Sequence, residues 1–277
     1  MQCGIWAMEI RMTCTIHYLP DRVLPETGVR ERSPVFDPYQ IDTLAPEEPL
    51  YVIGDVHGCL DLLERVLERV WKLRERSGGR IILVGDYVDR GPASAGVLSL
   101  LADLAAGNAP PTCLKGNHEI MMMEFLREPT RAIDWLMHGG RATLRSYGLD
   151  PLHPFYATKA DLDRLAEKLA DAIPPRVHSF LRDLKLSTRS GNIFVSHAGA
   201  DPMVPLHRQS PDTLTWGHRS RATPRPDGSW VIQGHLAGRR PALSARHLIV
   251  DTGASDTGCL TTAVLQPGKI EFVSVRA

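Results

Sequence analysis

Five short segments of the 277-residue chain combine glycine with cation-binding residues. They are Gly54-Asp-Val-His-Gly58, Gly85-Asp-Tyr-Val-Asp-Arg-Gly91, Gly116-Asn-His-Glu119, His197-Ala-Gly199 and Gly234-His235. Together they offer Asp55, His57, Asp86, Asn117, His197 and His235, nitrogen and oxygen donors with no thiolate. Such a set suits manganese, iron or zinc better than a soft metal. Six donors exceed what one tetrahedral zinc takes. Two divalent ions sharing a carboxylate, roughly 3.5–4 Å apart, would use them all. Taken singly, each aspartate reads as a turn residue after a strand and each histidine as a core residue. Clustering in loops at strand ends is what argues for chemistry.

The elements that must position these residues emerge from the hydrophobic pattern. Leu50–Ile53, Ile81–Val84 and Thr112–Lys115 read as short strands, separated by amphipathic helices over 60–76 and 93–106. Strand–helix–strand–helix–strand at this spacing predicts a parallel sheet. Gly54-Asp55, Gly85-Asp86 and Gly116-Asn117 each follow one of these strands. In an open α/β sheet the carboxyl ends of strands form the ligand crevice, so three strands deliver oxygen donors to one edge. Residues 120–137, 158–172 and 176–184 read as helices. Further strands are expected at 192–196, 229–233 and 247–250, with a closing hairpin over 260–265 and 270–275 around Pro267-Gly268.

The four motifs GDxHG, GDxVDRG, GNHE and HAG, in that order, resemble the phosphoprotein phosphatases within the calcineurin-like metallophosphoesterases. The likeness covers about residues 50–255, and Ile120–Met123, Trp135…Gly139-Gly140 and Val250-Asp-Thr-Gly-Ala254 resemble the bacterial and phage branch. The resemblance implies an α/β fold, a two-sheet β-sandwich flanked by helices with a two-metal site at the C-terminal ends of strands. It implies that Asp55 and His57 hold a first metal, that Asp86 bridges, and that Asn117, His197 and His235 hold a second. It further implies that His118 protonates the leaving group, that Asp89 orients and charges His118, and that Arg90 binds phosphoryl oxygens. A second phosphate-binding arginine follows a Trp after HAG; Arg219 in Trp216-Gly-His-Arg219 is the choice and Arg221 the fallback. Where the family commonly has Thr-Pro after the last histidine, this chain has Leu236-Ala237, so the loop there is expected to differ.

Elementary chemistry agrees with these roles. Two divalent cations and guanidinium groups offset the charge of a phosphate dianion, and a metal brings the pKa of water towards ~7. A poor leaving group needs a proton, which a histidine held charged by a carboxylate can supply. The expected activity is phosphomonoester hydrolysis by direct attack of metal-bound hydroxide, foremost on phosphoserine or phosphothreonine in proteins. The metal is expected to be Mn²⁺, with Zn²⁺ or Fe as substitutes. Hydrolysis of dinucleoside polyphosphates, diadenosine tetraphosphate among them, is the alternative. A phosphodiesterase or nuclease ranks lower, and a non-catalytic binding protein lowest.

Composition narrows the partners. Lys and Arg number 32, as do Asp and Glu, which argues against a general nucleic-acid or anionic-membrane binder. No apolar run approaches the roughly 18 residues of a membrane span. Five widely spaced cysteines (Cys3, Cys14, Cys59, Cys113 and Cys259) form no C-x-x-C pair and read as reduced thiols, placing the protein in the cytosol. Residues 1–48 read as an N-terminal extension before a catalytic domain over 49–277, which carries a helical insert at about 120–190. Within that extension, apolar residues at alternate positions from Trp6 to Tyr18 suggest a strand able to pair a second copy into a homodimer. Glu119 reads as a helix-start residue, His138 as a helix end and Met121–Met123 as core contacts.

Overall fold

The computed structural model describes residues 41–153, 156–219 and 223–277. The alternating segment at 6–18, with its suggested dimer contact, lies outside the described residues. Two five-stranded sheets form a sandwich. The first has the order β10-β9-β1-β2-β3, with β1 Leu50–Ile53, β2 Arg80–Leu83, β3 Thr112–Cys113, β9 Cys259–Gln266 and β10 Lys269–Arg276. The second has the order β4-β5-β6-β8-β7, with β4 Ser187–Ser190, β5 Ile193–Ser196, β6 Trp230–Gln233, β7 Ala242–Ser244 and β8 His247–Ile249.

Each sheet contains three parallel strands. In the first, Ile53 pairs with Leu83 and Leu83 with Cys113, so β1, β2 and β3 end at one level. In the second, Val195 lies opposite Ile232 and Gln233 opposite Ile249. Strands buried on both faces need apolar residues at every position, as Leu50-Tyr-Val-Ile53 has. Leu50 and Val52 face the core between the sheets with Ile193, Val195, Trp230 and Ile232. Tyr51 and Ile53 face the helical layer. Residues 41–48 join this core: Ile41 and Leu44 are buried within it, and the Asn192 side chain bonds the backbone of Thr43 and Ala45.

Helices α1 (Leu60–Ser77) and α2 (Ser94–Ala105) link the parallel strands of the first sheet. Between β3 and β4 the chain makes a helical excursion: α3 (Asn117–Arg127), short α4 (Ala132–Trp135), α5 (Arg141–Ser146), α6 (Lys159–Ala172) and α7 (Pro175–Asp183). The ends of this excursion touch. Lys115 N–H donates to Lys185 O at 2.8 Å, and Lys185 N–H to Cys113 O at 3.2 Å.

The single helix expected over 120–137 is broken. Helix α3 stops at Arg127, a 3₁₀ turn spans Pro129–Arg131, and a π turn spans Leu136–Gly140. Proline cannot donate the next helical bond, and the successive glycines Gly139 and Gly140 weaken the turn that contains them. Strands β4 and β7 and helix α8 (Pro211–Trp216) had no sequence expectation. Ser187-Thr-Arg-Ser190 is a polar edge strand, which carries no hydrophobic alternation to read. Among the described residues no helix is long and apolar enough to cross a membrane.

Candidate active site

Asp55, Asp86 and Asn117 follow β1, β2 and β3, and His197, His235 and Asp251 follow β5, β6 and β8. The parallel trio of each sheet therefore supplies one side of a single buried cluster. Two groups of donor atoms lie within 4.8 Å of one another: His57, Asp86 and His118, and Asp86, His197 and His235. Asp86 belongs to both groups. Its Oδ2 sits 3.5 Å from His57 Nε2 and 3.5 Å from His197 Nε2. Asn117 Oδ1 lies 3.0 Å from His197 Nε2 and 3.1 Å from His235 Nδ1. Asp55 approaches from the far side, its Oδ2 accepting the His235 backbone N–H at 3.0 Å.

The rings are aimed by backbone carbonyls. His57 Nδ1 lies 2.9 Å from Val88 O, and His197 Nδ1 lies 3.1 Å from Val84 O. A carbonyl only accepts, so each Nδ1 carries the proton and each Nε2 turns a lone pair inward. Burial lowers the His57 pKa to about 3 and also lowers that of His197, keeping both rings neutral as ligands require. Burial opposes ionisation of Asp86, but the imidazoles of His197, His118 and His57 outweigh it and hold its pKa below the usual carboxylate range.

The backbone here is strained. His57, Asp86, Asp89, Arg90 and His235 have φ of 43°, 53°, 74°, 62° and 66°. The other non-glycine residues with positive φ among those described are Ala245 and Arg246. Each such conformation costs about 1–3 kcal/mol and persists only where its surroundings over-determine it. Much of that determination comes from Glu119. Its buried carboxylate accepts the N–H groups of Asp86 and Gly116 at 2.9 Å each, Tyr87 at 2.7 Å and Val88 at 3.3 Å. Burial and Asp86 push the Glu119 pKa up to about 7, against the pull of those N–H groups. The helix-start role read from sequence is thus the smaller part of what Glu119 does. It ties the loop after β2 to the start of α3.

Beside the cluster, His118 Nδ1 lies 2.7 Å from Asp89 Oδ2. Burial disfavours a charged His118, but Asp86 and Asp89 outweigh it and raise its pKa. Burial raises that of Asp89 as well, against the pull of His118. Both shifts keep a proton on the pair. Asp89 is anchored from the excursion by Trp135 Nε1–H at 3.0 Å, in the segment the resemblance had marked, and by Thr143 Oγ1–H at 2.6 Å, which no motif announced. Arg90 Nη2 lies 3.3 Å from His118 Nε2, and Arg90 N–H donates to Gly139 O. Arg219 is different: it is exposed, and among the described residues no bond joins it to the cluster. Arg221 lies outside the described residues.

The cluster fits divalent cations. Asp55 Oδ1 is buried without a hydrogen-bond partner. Burial, Asp251 and Asp86 raise the Asp55 pKa well above its usual range, and burial raises that of Asp251. Carboxyls packed this way require either protons or a cation among them. A Cβ at Gly116 would fall on the Asp86 carboxylate and one at Gly234 on that of Asp55, so both positions must stay bare. Asp251 is the residue that sequence reasoning missed. The signal was its place after β8, matching those of Asp55 and Asp86.

Comparison with known proteins agrees. Over 256 residues the chain is 26% identical to bis(5'-nucleosyl)-tetraphosphatase PrpE [asymmetrical] of Halalkalibacterium halodurans, covering 81% of this chain and 92% of that protein. It is 36% identical over 92 residues to serine/threonine-protein phosphatase 1 of Salmonella typhimurium, covering 33% of this chain and 38% of that one. A crystal structure described as that of a candidate diadenosine tetraphosphatase superposes with a TM-score of 0.59 at 24% identity, covering 83% and 94% of the two chains. The profile of the calcineurin-like phosphoesterases matches residues 48–238, from the start of β1 to just past His235. With that match covering more than half of the chain, from β1 through β6, the chain belongs to the calcineurin-like phosphoesterases, metal-dependent enzymes with a two-metal centre.

Proposed function

We propose that this phosphoesterase hydrolyses dinucleoside tetraphosphates asymmetrically, yielding a nucleoside triphosphate and a nucleoside monophosphate. The observation that carries this reading is coverage. The likeness to the asymmetrical tetraphosphatase runs through 81% of the chain, whereas the likeness to the serine/threonine phosphatase covers 33%. This ranks the two substrates in the opposite order to the sequence motifs. The motifs describe the phosphoryl-transfer centre, which both substrates share, and leave the specificity-bearing remainder unread.

Asp55, His57 and Asp86 would hold one divalent ion, and Asp86, Asn117, His197 and His235 the other. Mn²⁺ is the first choice for a donor set of carboxylate, amide oxygen and imidazole. When bound, the ions supply positive charge for the phosphoryl oxygens and acidify water. Arg90 binds the oxygens of the phosphoryl group under attack, and Arg219 is available from the loop after α8. Asp89 bonds His118 Nδ1 and stabilises its charged form, from which Nε2 would deliver a proton to the bridging oxygen as the phosphorus–oxygen bond breaks. The oxygen of water joins phosphorus. One product leaves through the former bridging oxygen. Cys59, Cys113 and Cys259 are buried free thiols, and burial pushes Cys59 up to about 11 and Cys113 up to about 12. Inert, unpaired thiols support a cytosolic setting.

The test is incubation with diadenosine tetraphosphate and Mn²⁺, products separated by anion exchange. ATP and AMP in equal amounts are expected. Two ADP would replace asymmetric with symmetric cleavage. Turnover of a phosphothreonine peptide with none of the dinucleotide would overturn the reading in favour of a protein phosphatase.

A further inference from the structure

A cleft of about 570 Å³ opens beside the cluster, between helices α3 and α4 and the end of α8. We infer that it is a nucleobase subsite, in which one purine of the substrate stacks on Trp216 while its phosphates reach the metal centre. The inference rests on dinucleotide hydrolysis as the function and names the residues that recognise the base.

Three observations carry it. The cleft is continuous with the chemistry. Trp135 lines it and also donates to Asp89, and Met121 lines it one turn after His118 on α3. At 1.5 Å per helical residue, Met121 lies about 4.5 Å and Glu124 about 9 Å beyond His118 along the axis. That spacing suits a nucleoside extending away from its reacting phosphate.

Second, the walls suit a flat, aromatic ligand with polar edges. Trp216 is 46% exposed and Ile133 43%, large apolar surfaces facing solvent in a cavity of ligand size. Trp216 ends α8, and the next residue, Gly217, packs against Ala198 beside His197. The backbone that carries the indole is thereby held near His197. Bases stack on indole regardless of sequence.

Third, the polar groups are waiting. Glu124 and Asp134 line the cleft, and neither carboxylate has a side-chain partner among the described residues. Carboxylates accept from the exocyclic amine of a base.

Wild type, Trp216→Ala and Trp216→Phe are compared on diadenosine tetraphosphate and on para-nitrophenyl phosphate, which has no base. Tryptophan fluorescence is titrated with AMP in parallel, a readout that needs no turnover. In Trp216→Ala the dinucleotide KM is expected to rise about tenfold or more with kcat near wild type. The Phe variant should recover most of it, and the KM for para-nitrophenyl phosphate should move by less than about twofold. AMP should quench wild-type fluorescence and lose that quenching in Trp216→Ala. An unchanged dinucleotide KM, or an equal rise for both substrates, would overturn the subsite. If wild type leaves the dinucleotide intact, the functional reading fails; AMP quenching then still decides the subsite, and its absence sinks it.

Discussion

In the metal cluster Asp55, His57, Asp86, Asn117 and His118 are each no more than 4% exposed, five neighbouring residues hold positive φ, and backbone carbonyls fix the rings. In the cleft alongside, Trp216 and Ile133 are over 40% exposed, and the carboxylates of Glu124 and Asp134 have no side-chain partner among the described residues. The first region tolerates little displacement, because its groups are buried against one another and most are bonded to a neighbour. The second presents surfaces to a ligand and constrains little else. A centre common to many phosphoesterases has to be rigid, since reacting groups misplaced by about 1 Å lose most of their effect. A recognition surface has to be replaceable.

The contrast can be broken from either side, and the largest effects belong to the cluster. Asp86→Asn removes the one carboxylate common to both donor groups. Turnover of every substrate should fall by about 10³-fold or more, measured at saturating Mn²⁺; a loss below tenfold would deny Asp86 its central place. Next comes His118→Asn. With an alkyl phosphate, a loss of about 10²–10⁴-fold in kcat is expected. With para-nitrophenyl phosphate or the dinucleotide the loss should be smaller, because those leaving groups depart without full protonation. Equal losses across that series would remove His118 from the proton-donor role.

Glu119→Gln touches neither substrate nor metal, yet weakens four backbone bonds that hold the strained loop. About 1–3 kcal/mol of stability should go, read by urea denaturation, with Mn²⁺ affinity down about 10–100-fold. Retention of both would move the strain elsewhere. Trp216→Ala sharpens the comparison: about tenfold in KM for one substrate class and nothing in stability. Smallest of all is Arg176→Ala. Its ion pair with Asp103 spans 2.8 Å, but both side chains are about half exposed, so no measurable shift in the urea midpoint and no change in activity are expected.

The cluster was legible in sequence because its donors lie in segments of a few residues directly after apolar strands. Glycine beside an oxygen-bearing side chain, three times over, announced a common edge. What supports those donors was not legible. Glu119 binds N–H groups 31–33 positions away, and Thr143 reaches Asp89 across 54 positions. Contacts of that kind leave no periodicity. The broken helix after Arg127 had a local cause in Pro129, but its course past Trp135 is set by packing, with Trp135 stacked on Phe125 at 5.0 Å. Asp251 was within reach of pattern reasoning, as a carboxylate after a parallel strand, yet lacked the preceding glycine that marked the others. The polar strand β4 carried no signal of its own.

The paired ends of the helical excursion have a consequence for descent. Cys113, Lys115 and Lys185 meet through two backbone bonds, so about seventy residues leave and rejoin the sandwich at one point. A segment whose ends already touch adds little closure entropy when it lengthens or shortens, since each doubling costs only about 0.6 kcal/mol. Lineages can therefore exchange this segment wholesale, as a graft on a fixed stock, provided the newcomer begins with an Asn-His-Glu and returns a tryptophan to Asp89. New substrates could be acquired in this way without one strand changing register.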